Sequence, residues 1–355
     1  MINVTKTFLP DQSEYQAILR QAWDTGWITN RGALVQELEE KLKTHLVVPN
    51  IILTTNGTLP LQIAIKALEL KGDIITTAFS YVATTSSIVW EGCKPVFVDI
   101  HPDYLTIDES KIEAAITSET TAILVTHVFG NPCDVEAIDT IAKKHNLKVI
   151  YDAAHCFGVT YKEQSIFNYG DVSTCSFHAT KLFHTGEGGA LFTNSETLSS
   201  SLFSHHNFGH HGQEHFQGLG INAKMSELQA AMGLAVLPYI NLILEARKEL
   251  VAYYKDNLKL LPTIKIRPET SWNYGYYPVI FSDESQLLKI KSALNAEHIF
   301  PRRYFYPSLN TLPYVKHIDC PITDGVAPAI LCLPLYYGLS HEKIKRICTI
   351  IRAQL

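Results

Sequence analysis

Short apolar runs alternate with amphipathic stretches from about residue 50 to residue 193. The apolar runs predict strands at 50–55, 73–77, 95–99, 121–126, 148–152, 172–177 and 189–193. The stretches between them predict helices at 60–69, 81–90, 109–115 and 135–145. Strands that are apolar throughout and alternate with helices favour a mostly parallel sheet covered on both faces, so the predicted fold class is α/β.

The regular alternation fades after about residue 235. The remaining pattern predicts helices at 245–258, 284–297 and 342–355, and strands at 276–281 and 331–335. We therefore predict a large α/β domain over residues 1–235 and a smaller α+β domain over residues 236–355. The nearly apolar stretch 230–244 is too short for a bilayer span and is interrupted by Pro238 and Asn241. It predicts a buried helix, a turn and the start of a second helix.

Composition narrows the class of protein. The 355 residues are 46% hydrophobic and 18% charged, with a net charge of -5 and no long basic run, so we expect no nucleic-acid partner. The first residues lack a basic segment followed by an apolar one, so we expect no signal peptide and no membrane partner. An odd number of cysteines without a C-x-x-C pair favours reduced thiols and a cytoplasmic location.

Polar residues follow several of the predicted strands, at the edge where open α/β sheets bind ligands. Gly57 and Thr58 lie between a strand and a helix, where free N–H groups bind phosphate, although an ordinary helix cap has the same pattern. No G-x-G-x-x-G follows the first strands, and no P-loop motif is present, so dinucleotide and P-loop sites lack their sequence signatures.

Two further residues carry candidate chemistry. Lys181 follows a strand and precedes the glycine-rich run 185–189, and a lysine in a packed, hydroxyl-rich pocket can lose its proton and attack a carbonyl group. Asp152 ends a buried strand, where a carboxylate needs a cation such as a protonated pyridine nitrogen. The alternatives are a surface lysine and an aspartate that caps the next helix.

Together these segments resemble the DegT/StrS family of sugar aminotransferases, which use pyridoxal 5'-phosphate (PLP) and have the type I aminotransferase fold. The matching stretches cover nearly the whole chain: 26–30, 56–58, 78–84, 95–99, 152–155, 176–181, 186–189 and 220–225. The chain departs from the family pattern at Ala223, where relatives carry an aromatic residue, and at Leu59-Pro60, which replaces small residues.

The resemblance implies a role for each matching residue. Lys181 would form a Schiff base with PLP and move a proton, Asp152 would pair with the pyridinium nitrogen, Tyr81 would stack on the ring, and His155 would lie near the phenolic oxygen. The phosphate would be held by Gly57, Thr58, Ser176 and Asn222 of the partner subunit. The resemblance thus implies a homodimer with shared active sites and no metal ion.

Residues 3–10 resemble enzymes that aminate C4 of dTDP-4-keto-6-deoxy-D-glucose with L-glutamate as donor, for surface polysaccharide such as O-antigen. A 3-keto-sugar, a UDP-linked 4-keto-sugar and a PLP-binding regulator without catalysis remain alternatives. A sister group of dehydratases carries His at the position of Lys181, which favours transamination here. Relatives place a segment like 302–306 near the substrate diphosphate. Histidines between His205 and His215 suggest a polar loop rather than a zinc site.

Overall fold

The computed structural model describes all 355 residues, Met1–Leu355. The strands are β1 (Ile2–Asn3), β2 (Ile51–Thr54), β3 (Asp73–Thr76), β4 (Lys94–Phe97), β5 (Thr120–Thr126), β6 (Lys148–Asp152), β7 (Thr160–Tyr161), β8 (Gln164–Ser165), β9 (Val172–Ser176), β10 (Gly189–Phe192), β11 (Thr270–Ser271), β12 (Pro278–Ile280), β13 (Ile299–Phe300) and β14 (Ile330–Cys332). The α-helices are α1 (Gln12–Thr25), α2 (Ala33–Leu46), α3 (Leu59–Ala67), α4 (Val82–Trp90), α5 (Val135–His145), α6 (Glu196–His206), α7 (Glu227–Val236), α8 (Ile240–Asn257), α9 (Glu284–Ala296), α10 (Pro321–Ala329) and α11 (His341–Arg352). Short 3-10 helices are Glu109–Lys111, Glu113–Ala115, Val128–Gly130, Ile166–Asn168, Leu237–Tyr239 and Leu309–Thr311.

The central sheet has seven strands in the order β2-β10-β9-β6-β5-β3-β4. Strands β9, β6, β5, β3 and β4 run parallel, whereas β10 is antiparallel to both of its neighbours, β2 and β9. The predicted mostly parallel α/β sheet is therefore confirmed. The strand β10 reverses direction because a loop of residues 177–188 returns the chain beside β9 without a crossover helix.

Alternate residues of the strands pack on opposite faces of this sheet. Leu53 and Val125 belong to an apolar cluster together with α2 and α7, whereas Ile52 and Leu124 belong to a second cluster with α3. This period of two is the geometry of a β-strand, and each such side chain contributes about 1.5–3 kcal/mol through burial. Both faces are covered, which explains why the strands are apolar throughout.

The C-terminal part has its own apolar cluster, built around α8, α9 and α11 and strands β12 and β14. The first strand, β1, pairs in parallel with β13, so the beginning of the chain lies against this part. The predicted boundary between the two domains, between residues 235 and 236, lies one residue before the end of α7. The division into two domains stays a prediction.

Most predicted elements lie within a few residues of the observed ones, but the helix predicted at 109–115 is wrong. Two separate 3-10 helices occupy this segment, with Ile112 between them. Of these seven residues only Ile112 is buried, so the segment lacks the apolar stripe that would stabilise an α-helix. Helices α1, α2, α6 and α10 and the short strands β1, β7, β8, β11 and β13 were not predicted.

The apolar stretch 230–244 forms the predicted helix, turn and second helix, namely α7, the 3-10 helix Leu237–Tyr239 and α8. The continuous segment Glu227–Asn257 is long and apolar enough to cross a membrane by length and composition, and half of its most apolar window is buried. Its side chains Ala230, Val236 and Ile240 belong to the main apolar cluster. We conclude that this continuous helical segment belongs to the core of the fold.

Four histidines are buried, and three of them, His127, His155 and His206, have the most strongly lowered pKa values and should make the protein sensitive to acid. Burial lowers the pKa of His127 to about 3 and that of His206 to about 4. Burial, with the charge of Lys181, also lowers the pKa of His155 well below its ordinary value. An unfolded histidine has a pKa of about 6.5. As the pH falls below 6.5, the unfolded state therefore binds protons before the native state does. The contribution of these histidines to the free energy of unfolding is complete above pH 6.5 and decreases below it.

We expect each of these histidines to cost about 2 kcal/mol of stability between pH 7 and pH 5. Urea unfolding at a series of pH values measures this loss. His127→Asn retains an acceptor for the Cys133 N–H, which His127 Nδ1 binds at 2.9 Å, and should reduce the loss. The exposed control His211→Gln should leave it unchanged. A stability that stays constant below pH 6.5 would contradict the prediction.

Candidate active site

A cavity of 350 Å³ lies at the carboxyl edge of the central sheet. The predicted residues that line it are Gly57, Thr58, Tyr81, Asp152, His155, Ser176 and Lys181. They converge because β2, β3, β6 and β9 direct the loops that follow them towards the same region. Asn222 is the one predicted site residue that does not line this cavity.

Asp152 stands at the end of β6 and is 5% exposed. Its Oδ2 accepts a hydrogen bond from Thr84 Oγ1 at 2.6 Å, and its Oδ1 accepts one from the Ala154 N–H at 3.1 Å. Burial raises the pKa of this carboxyl, and these hydrogen bonds oppose the effect. No helix follows Asp152, so the interpretation as a helix cap is wrong. A cation in the cavity would stabilise the carboxylate.

A buried hydroxyl network holds Thr84 in place. Ser80 Oγ lies 2.8 Å from Thr84 Oγ1 and 2.7 Å from Thr126 Oγ1. These three side chains come from the loop after β3, from α4 and from the end of β5. Sequence reasoning did not single out Thr84, although it lies one helical turn after Tyr81, and this spacing could have revealed it.

His155 is 7% exposed, and its orientation is set by a backbone group. Its Nδ1 accepts a hydrogen bond from the Phe129 N–H at 3.1 Å, so the proton of the neutral ring is on Nε2. The ring stacks on Phe305 with centroids 5.5 Å apart and an interplanar angle of 2°. His155 can therefore donate a hydrogen bond from Nε2 to an acceptor in the cavity.

Lys181 lies on the loop between β9 and β10. Its backbone N–H donates to His178 O, and the loop closes through the Phe177 N–H bond to Gly188 O at 2.8 Å. A Cβ on Gly189 would lie 2.4 Å from Asn56 O, so only glycine fits beside the end of β2. The glycine-rich run thus allows the loop to approach the cavity closely and brings Lys181 into it.

The amine of Lys181 contacts a residue that sequence reasoning missed. Its Nζ donates to the Tyr276 hydroxyl at 3.1 Å. Burial acts to lower the pKa of Lys181, but Tyr276 and the carboxylate of Asp152 raise it, and the net pKa lies above its ordinary value. The predicted loss of the Lys181 proton stays a prediction, since these neighbours favour the protonated amine. The amine is half-buried in the cavity, which excludes the interpretation as a surface lysine.

The turn between β2 and α3 provides a narrow polar pocket. Asn56 Oδ1 accepts from the N–H groups of Thr58 and Leu59 at 2.9 and 3.0 Å, so Asn56 caps the helix and the hydroxyl of Thr58 makes no cap bond. A Cβ on Gly57 would lie 2.7 Å from Ser176 Cβ, so only glycine lets this turn pack directly against the end of β9. Gly57, Thr58 and Ser176 line the cavity side by side at a helix N-terminus, a position that suits a phosphate group.

Aromatic side chains form the remaining wall. Tyr81 is 58% exposed, and its ring lies 6.3 Å from that of Phe305. Tyr276 and Tyr304 line the same cavity from the C-terminal part of the chain. Sequence reasoning placed residue 276 in a strand and residues 304–306 near the site without assigning contacts, because no local pattern identifies them.

Of the other candidates, namely the two arginines, Asn222 and the histidines of α6, only one residue lines the cavity. Arg302 lines the cavity, whereas Arg303 forms a salt bridge with Glu284 at 2.6 Å outside it. Asn222 is exposed and accepts a hydrogen bond from Lys224 Nζ at 2.8 Å. His205 and His206 belong to α6, and no group of three His, Cys, Asp or Glu side chains in the chain could hold a metal ion.

The cavity fits a pyridine cofactor with an aldehyde and a phosphate. Asp152 is a buried carboxylate that forms no salt bridge, so a protonated ring nitrogen would complete its environment. Gly57, Thr58 and Ser176 would hold the phosphate from one wall of the cavity, and Lys181 provides an amine in the same cavity. The residues present therefore fit PLP.

Comparisons with known proteins agree with this geometry. The DegT/DnrJ/EryC1/StrS aminotransferase family matches residues 10–352. The chain is 41% identical to a dTDP-4-amino-4,6-dideoxy-D-glucose transaminase from Shigella dysenteriae, over 99% of this chain and 98% of that protein. It is 38% identical to a transaminase of the same name from Escherichia coli, over 100% and 99% of the two chains. A crystal structure of DesI in the presence of its TDP-sugar product superposes with a TM-score of 0.94 at 31% identity, covering 99% of this chain and 92% of that one.

Proposed function

The chain belongs to the DegT/DnrJ/EryC1/StrS aminotransferase family, and we propose that it transfers the amino group of L-glutamate to dTDP-4-keto-6-deoxy-D-glucose. The product is dTDP-4-amino-4,6-dideoxy-D-glucose, used for surface polysaccharide. The protein is a PLP-dependent enzyme that acts on a nucleotide-linked sugar. The observation that carries the proposal is the presence of Lys181 and the buried Asp152 in one cavity, in a chain related over its full length to transaminases of this name.

Each residue of the cavity has a proposed part in this reaction. Bound PLP withdraws electrons from the carbon that carries the amino group, which makes a proton on that carbon acidic. Lys181 Nζ would hold the cofactor and, as a free amine, would move this proton between the donor's α-carbon and C4′ of the cofactor. The Asp152 carboxylate would keep the ring nitrogen protonated.

The other residues would bind and orient the cofactor. His155 Nε2 would donate to the ring oxygen, as its tautomer allows. Tyr81 would cover one face of the ring. Gly57, Thr58 and Ser176 would bind the phosphate. Arg302 is the one arginine that lines the cavity, and its guanidinium would attract the diphosphate of the sugar nucleotide.

A homodimer with shared sites is part of the proposal. Asn222 lies on an exposed segment outside the cavity of its own chain, beside the exposed apolar residues Leu219 and Ile221. Exposed apolar residues of this kind are typical of surfaces that bind a partner. A second copy would bury them and bring Asn222 of the partner subunit to the phosphate. Analytical ultracentrifugation of the holoenzyme tests this, and an active monomer would contradict it.

The cytoplasmic location stays a prediction. All seven cysteines are free thiols buried in the fold. Their reduced state is the one that the cytoplasm maintains.

The substrate is tested by offering the purified holoenzyme L-glutamate together with one keto-sugar at a time. We expect dTDP-4-keto-6-deoxy-D-glucose to give an amino sugar and 2-oxoglutarate in equal amounts, identified by mass and NMR. UDP- and GDP-linked 4-keto-sugars and dTDP- and UDP-linked 3-keto-sugars are the comparison substrates, because relatives named for UDP- and GDP-sugars are 28–34% identical. A higher kcat/KM for one of these would identify a different substrate. Failure to aminate any keto-sugar would reject sugar transamination.

A further inference from the structure

Arg247, on α8, is a buried cation that has no part in the reaction proposed above. Its side chain is 4% exposed and forms no salt bridge with a carboxylate. Its Nη1 donates to Gly275 O at 3.1 Å and to Tyr274 O at 3.5 Å, and its Nε has no hydrogen-bond partner. Burying a guanidinium with so few partners costs stability, so its presence at this position needs a reason.

The two carbonyl groups that Arg247 binds belong to a strained turn. Tyr274 has a φ of 52°, a left-handed conformation that costs a non-glycine residue about 1 kcal/mol or more. On the other side of the turn, Asn273 Oδ1 accepts a hydrogen bond from the Gly275 N–H at 3.1 Å. The turn Asn273–Gly275 is therefore held in this conformation by two side chains, Asn273 and Arg247.

This turn leads directly into the candidate active site. Tyr276 follows Gly275, and its hydroxyl accepts from Lys181 Nζ at 3.1 Å. The Tyr276 ring also lies edge-on to the ring of His155, with centroids 4.8 Å apart. Asn273 Nδ2 donates to His155 O at 2.8 Å. A displacement of the turn would therefore move the group that contacts the Lys181 amine.

We infer that Arg247 is a positioning residue, which holds the turn Asn273–Gly275 so that the Tyr276 hydroxyl meets the Lys181 amine. Burial lowers the pKa of Arg247 only to about 10, so the guanidinium stays charged at neutral pH and remains a strong donor to the two carbonyl groups. This inference rests on the proposed role of Lys181 as the cofactor-binding residue.

The test compares the holoenzymes of Arg247→Met, Tyr276→Phe and the double variant. The measured quantity is the midpoint pH at which the visible absorbance of the bound cofactor changes, together with the melting temperature. We expect Arg247→Met to move the midpoint in the same direction as Tyr276→Phe, by roughly half a pH unit or more. The double variant should move it no further than Tyr276→Phe alone, because both changes remove the same contact.

Arg267 offers a matched control. It is also a buried arginine, donating to Pro132 O at 3.1 Å and pairing with Asp134, and it has no hydrogen bond to the turn Asn273–Gly275. Arg267→Met should lower the melting temperature and leave the absorbance midpoint unchanged. Arg247→Lys keeps a charged donor and should recover part of the shift seen in Arg247→Met.

An Arg247→Met enzyme that melts at a lower temperature with a wild-type midpoint would overturn the inference, since Arg247 would then serve stability alone. Additive shifts in the double variant would overturn it as well. If Arg247→Met does not fold, the same comparison is made with Arg247→Lys and its double variant with Tyr276→Phe. A wild-type enzyme without any visible cofactor band would reject the proposed function, and this inference would fail with it.

Discussion

Lys181→Ala is expected to lower kcat by roughly 10⁴-fold or more. The change removes the only lysine amine that lines the cavity, and with it the group that the proposed mechanism uses both to attach the cofactor and to move the proton. Borohydride should then fail to attach PLP to the protein, whereas it should label the wild-type chain at Lys181. Rates of 2-oxoglutarate formation and mass spectrometry of the treated protein measure the two effects.

The matched control for this substitution is Lys66→Ala. Lys66 lies on α3 and forms a salt bridge with Glu91 at 3.0 Å outside the cavity. Surface pairs of this kind contribute about 1 kcal/mol or less, so the control enzyme should keep wild-type turnover. A Lys181→Ala enzyme that still produces 2-oxoglutarate at a rate near that of the wild type would reject the proposed mechanism.

Asp152→Asn is expected to lower kcat by about 10²–10⁴-fold and to make the apoprotein more stable. The amide has nearly the same shape, and it can accept from the Ala154 N–H through Oδ1 and donate to Thr84 Oγ1 through Nδ2, but it cannot pair with a protonated ring nitrogen. Burial raises the pKa of Asp152. The contribution of this group to the stability of the native state is therefore complete below the pKa of the unfolded carboxyl, and it is lost at higher pH as the buried carboxyl ionises. At neutral pH the substitution removes a buried charge that forms no salt bridge, and the recovered desolvation cost should outweigh the lost attraction to Lys181 and stabilise the apoprotein by about 1 kcal/mol.

Urea unfolding of both apoproteins and steady-state kinetics of both holoenzymes measure these two opposite effects. Asp171→Asn is a suitable control, because Asp171 is a carboxylate near the opposite end of the same sheet and accepts from Lys148 and the Val149 N–H. It should lose stability and keep kcat. An Asp152→Asn enzyme with full activity would show that the carboxylate is not needed at the ring nitrogen.

Several parts of the site follow from the sequence because they depend on short-range order. Asp152 and Ser176 end the strands β6 and β9, and Gly57 follows β2; these three strands run in the same direction, so their carboxyl ends lie at one edge of the sheet. The two covered faces follow from the same runs, since apolar residues at every position of a strand require cover on both sides. The family resemblance added the role of each residue.

Helices with a weak apolar stripe were harder to predict. Helix α1 has Ala22 as its only buried residue, and α6 buries Leu202 together with the polar Ser204 and His206. An amphipathic pattern cannot be recognised where the buried face is short or polar. The tertiary contacts of these helices stabilise them instead.

Contacts between distant parts of the chain also lay beyond prediction. Tyr276 meets Lys181 across 95 residues of sequence, and no local pattern specifies this pairing. Arg247 contacts the turn before Tyr276 from a different helix, and its role follows only from the acceptors that the fold places around it.

The amino-acid sequence was enough to predict the sheet and to single out Lys181, Asp152 and Gly57-Thr58, because these follow from the apolar runs and from the residues at the end of each run. The electrostatic state of the site depends instead on the folded chain. The tautomer of His155, the raised pKa of Asp152 and the raised pKa of Lys181 depend on burial and on partners a few ångströms away. The electrostatic energies behind these shifts weaken with distance and strengthen as water is excluded. The distances between these groups and the extent of their burial are defined only once the chain has folded.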